Sequence, residues 1–543
     1  MKMSLDLIKN FGKVSFAFVF TLLAVVASAQ EAEIKSALRS IEQDKKKQAI
    51  ETLQKAIVTY PAAAQLYYHL GHAQLVSKDQ AAAKESFDKG VAANPKEPLN
   101  YVGQGHILVL EKKSAQAKPL FDRALGFGKK NIATLQAIGE AELADKATVK
   151  DALALLTRAK ELDANDFNTL LLLGDAYMTE NQGGSCASAY EDAATKNPKS
   201  AAPWYRHSQL FMRSKNIPIV EEDLLKAVAI DPEFALAHKE LARLYYLKKE
   251  GATAVKHYQA YLKLTDSPEK DYQLLNGFYL FMAKDYTKAN EEFKALSQKP
   301  NVTPTLLRYY AKSLYEADNL AESQKIFEQY LSSKKDSLKA SDYSNYAELL
   351  QKQKKDSLAA LAFHKSLELD KNQPKVLEIL VKYYFQTKKY NQCSTMSRAL
   401  ISTRKVALAP DYYTFGRSLY FEQKYPQADS AFAKLIELQP KITLGYLWAA
   451  RSKAAQDEEL KDALAKPYYE KVIEIGSATP EKNKNDLIAA YQYMGSYHLL
   501  KQENQIAKGY FEKVLALNPE DERSKEAIKL INTPVPQNPP KRK

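Results

Sequence analysis

The sequence predicts an all-α chain built as one long repeat array, and three observations carry that expectation. Glycine is scarce, at 18 of 543 residues, about half its usual ~7% share, which argues against β-sandwiches and glycine-rich phosphate loops. The hydrophobic fraction is 45%, enough for a packed core and too high for a disordered chain. A skeleton of aromatic, small and proline residues recurs at a spacing near 34 residues. Length alone suggests three or four domains at ~150 residues each. The recurrence replaces them with a single array.

In chain order, the first element is an export signal. Lys2, Lys9 and Lys13 precede an apolar run from Val14 to Ala27, and Ala27-Ser28-Ala29 is a small-x-small cleavage pattern. The run is too short to span a bilayer. Cleavage leaves Gln30 as the first mature residue and a mature chain of net charge +11, since the signal carries +2 of the total +13. The expectation is an exported, periplasmic chain with no transmembrane segment in its mature part, peripheral to the outer membrane if it touches a membrane at all. Positive charge favours anionic partners, and export argues against nucleic acid.

The repeat follows. Tyr67-x2-Leu70-Gly71, Ala83-x3-Phe87 and Pro95 set its skeleton. It recurs as Leu173-Gly174-x2-Tyr177 with Tyr190, Ala193 and Pro198, and as Trp204, Leu224, Ala227 and Pro232. It recurs again as Gly416, Ala428, Phe432 and Pro440, and as Tyr491, Gly495, Ala507, Phe511 and Pro519. This resembles the tetratricopeptide repeat (TPR) family, whose 34-residue unit is a helix–turn–helix, in an exported bacterial form. The resemblance implies a TPR α-solenoid superhelix with a concave surface. Fourteen helix-turn-helix repeats start at residues 30, 64, 98, 132, 167, 201, 235, 270, 304, 340, 374, 409, 443 and 488, filling 30–521.

Each repeat position has a physical reason. Positions 4, 7 and 11 put apolar residues on one face of the first helix. Position 8 is small (Gly71, Gly105, Gly139, Gly174, Gly277, Gly416, Gly495), which lets the second helix approach. Position 20 is its small partner on the second helix, and position 24 is a large plug such as Phe87, Tyr190 or Phe432. Proline at position 32 stops the second helix. Residues 454–485 carry eleven extra residues, expected to bend or loosen the stack. Residues 522–531 read as a capping helix with Asp521 as N-cap. Residues 532–543 form a Pro-rich basic tail ending Lys541-Arg542-Lys543, expected to be disordered.

Candidate chemistry is sparse. Cys186 and Cys393 occupy position 20 and read as buried small residues, six repeats apart and beyond disulfide reach. His72 and His106 share position 9 one repeat apart, without the third ligand a zinc site needs. No catalytic, cofactor or metal motif stands out, so no enzyme activity and no cofactor are expected.

The informative asymmetry lies on the concave face, which the family resemblance assigns to first-helix positions 2, 5, 9 and 12. Position 9 reads Leu38, His72, His106, Glu140, Asp175 and Gln209 in the first six repeats, with no basic residue. Later it becomes basic at Arg243, Lys312, Lys382, Arg417 and Arg451, joined by Lys239 and Arg308 at position 5. Aromatics run alongside at Tyr246, Phe281, Tyr315, Phe385, Tyr413 and Tyr420. These thirteen residues form the candidate groove for a partner: an extended or acidic protein segment whose carboxylates meet the basic stripe. The family's peptide-terminus clamp uses Lys and Asn, and position 9 is never Asn, so that clamp is not carried over.

The expected function is an exported, non-enzymatic adaptor for protein–protein interaction. The alternative is a structural subunit of an outer-membrane assembly, secretion or polysaccharide-export complex, docking through its convex face and basic tail. Asp336-Ser337-Leu338, Asp356-Ser357-Leu358 and Asp429-Ser430-Ala431 resemble an Asp-Ser-aliphatic O-glycosylation signal of exported bacterial proteins.

Overall fold

The computed structural model describes residues 28–333 and 337–533. The export-signal reading and nearly all of the basic tail fall outside them, as does Asp336. Among the described residues the chain is a succession of antiparallel α-helix pairs with no strand: an all-α helical repeat solenoid. It divides between Ala317 and Asp318 into an N-terminal and a C-terminal unit.

In the N-terminal unit the first helices span 28–42, Ala64–Val76, Pro98–Leu110, Ile132–Glu142, Phe167–Thr179, Ala202–Arg213, Ala235–Leu247, Tyr272–Met282 and Pro304–Glu316. In the C-terminal unit they span Ala340–Lys352, Pro374–Gln386, Ala409–Phe421, Thr443–Ala454 and Lys484–Leu500. Several starts have a local cause. Asp79, Asn131, Asp166 and Asp285 cap second or first helices by accepting from the N–H three residues on, which satisfies a donor the helix leaves open. Pro98, Pro304 and Pro374 sit in the first turn, where the missing N–H costs nothing. The cap helix Glu522–Asn532 starts on Asp521, whose side chain accepts from Ser524 N.

Three devices repeat along the array. The first joins glycine to a ring. A Cβ built on Gly71 would lie 2.4 Å from Phe87, and the same clash meets Gly105 with Phe121, Gly174 with Tyr190, Gly277 with Phe293 and Gly416 with Phe432. Position 8 is therefore the bed of the position-24 ring. The second device joins successive repeats. Tyr67 donates to the Pro61 carbonyl, Tyr101 to Pro95 and Tyr446 to Pro440, at 3.0–3.3 Å. The proline that ends one repeat thus holds position 4 of the next. The third is the inter-helix turn. Asp44, Lys78, Lys112, Asn181, Lys215, Lys249, Lys284, Asp318, Lys354, Lys388, Gln423 and Gln502 all have φ between 57° and 66°. Each stands at position 15 and closes the first helix in the left-handed conformation, without a glycine in the set.

Cys186 and Cys393 are fully buried free thiols at the alanine position, and burial pushes the Cys186 thiol up to about 11. The extra residues of repeat thirteen do not loosen the stack, contrary to the sequence expectation. Asp457 is buried and accepts N–H bonds from Lys461, Asp462 and Leu464, so a single carboxylate ties the long turn down. Beyond it Tyr469 stacks on Tyr493 at 4.4 Å, with Val472, Ala490 and Met494 in one core.

The N-terminal unit closes on itself. The turn of repeat one reaches repeats five to seven: Asp44 Oδ2 accepts from Thr265 Oγ1 at 2.9 Å, and Gln43 Nε2 donates to Glu233 at 3.1 Å. Gln48 N donates to Asp266 at 2.8 Å, and Ser200 Oγ to Glu42 at 3.3 Å. The first helices of repeats one to six therefore line a common open pocket.

Candidate interaction surfaces

The thirteen candidate groove residues fall into two groups. In the N-terminal unit they stay dispersed. Lys239 is committed to Glu269 at 3.4 Å and lies 5.3 Å from the Tyr261 ring. Arg243 is exposed, with Glu240 at 3.9 Å. Tyr246 packs edge-on against Tyr279, and Phe281 against Tyr286 and Tyr309. Arg308 lies over Tyr309 at 5.6 Å. Lys312 and Tyr315 are half-buried. The position-12 aromatics here serve inter-repeat packing.

In the C-terminal unit three adjacent first helices bring most of the set together. Pro374–Gln386 supplies Phe385, Ala409–Phe421 supplies Tyr413, Arg417 and Tyr420, and Thr443–Ala454 supplies Arg451. The Arg417 guanidinium carbon lies 4.6 Å from the Phe385 ring centre, 5.1 Å from Tyr413 and 4.9 Å from Trp448. The Arg451 guanidinium lies 4.9 Å from the same Trp448 ring. Tyr420 meets Trp448 edge-on at 5.5 Å. Arg417 donates to the Tyr413 hydroxyl at 3.2 Å, while its Nε is buried without a partner. Among the described residues no carboxylate pairs with Arg417 or Arg451. Cation–π contact holds both heads in place. Lys382 is exposed and outside this cluster.

The sequence reading missed Trp448 and Phe421, which complete the box. They stand at positions 6 and 13, outside the positions the resemblance assigns to the concave face. One signal was available: the chain has 2 Trp, and Trp448 belongs to no recurring slot.

The position-9 residues of the early repeats meet in the N-terminal unit. His72 Nε2 and Glu140 Oε1 lie 3.1 Å apart, across two repeats. Burial works against both charges, yet their mutual attraction holds the Glu140 carboxyl down at about 2 and raises the His72 pKa. Burial, with His72 nearby, drops His69 to about 4. Arg206 pairs with Asp175, which also accepts from Tyr190 at 2.7 Å.

Residues 35–98 match the family described as tetratricopeptide repeat. Among curated proteins, none matches the chain. A solved structure of the C-terminal part of a TPR repeat-containing protein from Cytophaga hutchinsonii is 30% identical, over 46% of this chain and 98% of that one, with a TM-score of 0.34. A tetratricopeptide repeat protein from Parabacteroides merdae is 17% identical over 46% of this chain and 99% of that one, with a TM-score of 0.29. YrrB, described as a TPR protein with an unusual peptide-binding site, is 25% identical over 35% of this chain and 96% of its own, with a TM-score of 0.23.

Proposed function

Because the chain belongs to the tetratricopeptide repeat family and is built as a protein–protein interaction scaffold, we propose that its working surface is the concave face of repeats eleven to thirteen. Its partner there is an extended protein segment carrying carboxylates. The observation that carries this reading is the pair of guanidiniums, Arg417 and Arg451, held against one indole with no carboxylate paired to either among the described residues. A guanidinium fixed on an aromatic face keeps its donor fork, so an incoming carboxylate gains charge-assisted bonds without ordering a long side chain. Phe385 and Tyr420 add apolar wall for the residues flanking that carboxylate. The role is non-enzymatic, and the scaffold works in the periplasm. Export is supported by the basic, apolar and small-x-small order of residues 1–29, and N-terminal sequencing of the protein from cells tests it through Gln30.

Trp448 reports on the site. In a Trp204→Phe background it is the sole indole of the chain. Titration with a Glu-rich octapeptide is expected to change its emission saturably. A Lys-for-Glu peptide leaves it unchanged, and Arg417→Glu with Arg451→Glu abolishes the response. Equal responses to both peptides, or none to either, remove the reading.

A further inference from the structure

Repeat seven brings two histidines face to face. His238, on the first helix Ala235–Leu247, stands at position 4, where Tyr67, Tyr101 and Tyr446 bond the preceding proline carbonyl. It keeps that bond: its Nε2 lies 3.1 Å from the Pro232 carbonyl oxygen. A carbonyl only accepts, so Nε2 carries the proton and Nδ1 of the neutral ring is a lone pair. That Nδ1 lies 3.0 Å from Nδ1 of His257, on the second helix Gly251–Leu264. The His257 ring is fixed in turn by stacking on the buried Tyr245, at 5.6 Å and 12°. Burial lowers the pKa of both imidazoles, His257 to about 4, so both rings are neutral at pH 7. Both are half-buried and so within reach of water.

Metal-bound imidazoles have their second nitrogen bonded to a carbonyl or carboxylate, which sets tautomer and ring orientation, and His238 already has that support. At a metal–nitrogen distance of about 2.0–2.1 Å, donors 3.0 Å apart subtend about 95° at the ion. A tetrahedral ion would want them about 3.3 Å apart, whereas an angle near 90° suits the tetragonal geometry of Cu(II). Among the described residues no third histidine, cysteine, aspartate or glutamate completes a metal-binding group. The exposed Lys256 ammonium acts on both rings. It disfavours a hard cation held by charge alone and leaves a metal held by nitrogen lone pairs. We propose that His238 and His257 chelate one Cu(II) ion through their Nδ1 atoms, with water in the remaining positions. In the metal-free chain the His257 Nδ1–H donates to His238 Nδ1. On binding, that proton moves to His257 Nε2, each Nδ1 gives its lone pair to the ion, and no net proton is released. The site lies in the N-terminal unit and is separate from the Arg417–Trp448–Arg451 cluster.

Electron paramagnetic resonance of the full chain, titrated with copper(II) chloride, reads the site directly. The first equivalent is expected to give a tetragonal spectrum with hyperfine coupling to two imidazole nitrogens. Calorimetry should show Zn(II) binding at least tenfold more weakly. His238→Gln and His257→Gln each remove the two-nitrogen signature and weaken the first equivalent at least tenfold, while His69→Gln leaves both unchanged. Should either variant fail to fold, histidine NMR of the wild-type chain decides. Substoichiometric Cu(II) then broadens the ring signals of His238 and His257 before those of the other 8 − 2 = 6 histidines. No saturable Cu(II) binding, a two-nitrogen spectrum that survives in His257→Gln, or earlier broadening of another histidine would overturn the proposal.

Discussion

Asp44 and Thr265, 221 residues apart in sequence, share a hydrogen bond of 2.9 Å. Asp44 is almost fully buried, pairs with Lys46 through its other oxygen, and holds a left-handed backbone. It therefore anchors the seam of the N-terminal unit. A double-mutant cycle with Asp44→Asn and Thr265→Val should give a coupling energy of about 1 kcal/mol, as hydrogen-bonded neighbours do. Asn is chosen because it tolerates positive φ. Amide exchange in Lys46–Thr59 should accelerate in both single variants. Additive effects of the two substitutions would show that the seam is held elsewhere.

The glycine beds predict a cost that helix propensity alone gets wrong. Alanine for glycine in a helix interior should stabilise by about 1 kcal/mol. At Gly416 the new methyl meets the Phe432 ring at 2.5 Å, and overpacking of this kind costs about 1–3 kcal/mol. Gly416→Ala should therefore lower stability in urea unfolding. Phe432→Leu in the same chain should recover part of the loss. Gly509, with open space around its Cβ position, is the control, and Gly509→Ala should stabilise.

The lysine turns predict the reverse. Lys388 has φ of 57°, a conformation that costs an L-residue about 1–2 kcal/mol and glycine nothing. After the extra chain entropy of glycine is subtracted, Lys388→Gly should stabilise the C-terminal unit by about 0.5–1 kcal/mol. Thermal unfolding monitored by circular dichroism would read it as a small rise in Tm, and a fall would mean that the lysine side chain has a role at that turn.

Acid sensitivity follows from the histidines. His69 and His257 are both lowered to about 4, by burial first and then by a neighbouring histidine. Unfolded histidine titrates near 6.5. As pH falls below that value the unfolded chain takes up these protons first, so stability is lost between about pH 6.5 and 4. His72 has the opposite sign, because its pKa is raised. Its contribution is full below about 6.5 and fades as pH rises through the folded value. Urea midpoints at pH 7.5, 6 and 4.5 should fall with pH, and His257→Gln should flatten that slope. An unchanged slope would exclude the His238–His257 contact, with its Nδ1 atoms 3.0 Å apart, as a source.

Much of the fold was legible because each repeat states its packing locally. Gly71, Ala83, Phe87 and Pro95 each have one neighbour to satisfy, one helix or one repeat away. The seam was not legible, since Asp44 and Thr265 carry no pattern that connects them, and closure depends on a small rotation accumulated over seven repeats. The same holds for the His72–Glu140 pair: the position-9 residues were visible as a column, but their convergence needed the ring. In the C-terminal unit Arg417, Tyr413 and Phe385 were readable from their slots. Trp448 lay outside those slots and is the residue that joins both arginines.

A solenoid held only by nearest-neighbour contacts has low contact order and can begin folding at any repeat. The seam changes that for the N-terminal unit. Its bonds join residues 158 to 221 positions apart, and they carry the loop-closure entropy of those long spans. Folding of this unit should show a fast phase for the stack and a later one for closure. Unfolding should start where repeat one lets go, which makes the weakest link of the ring the place where its two ends meet.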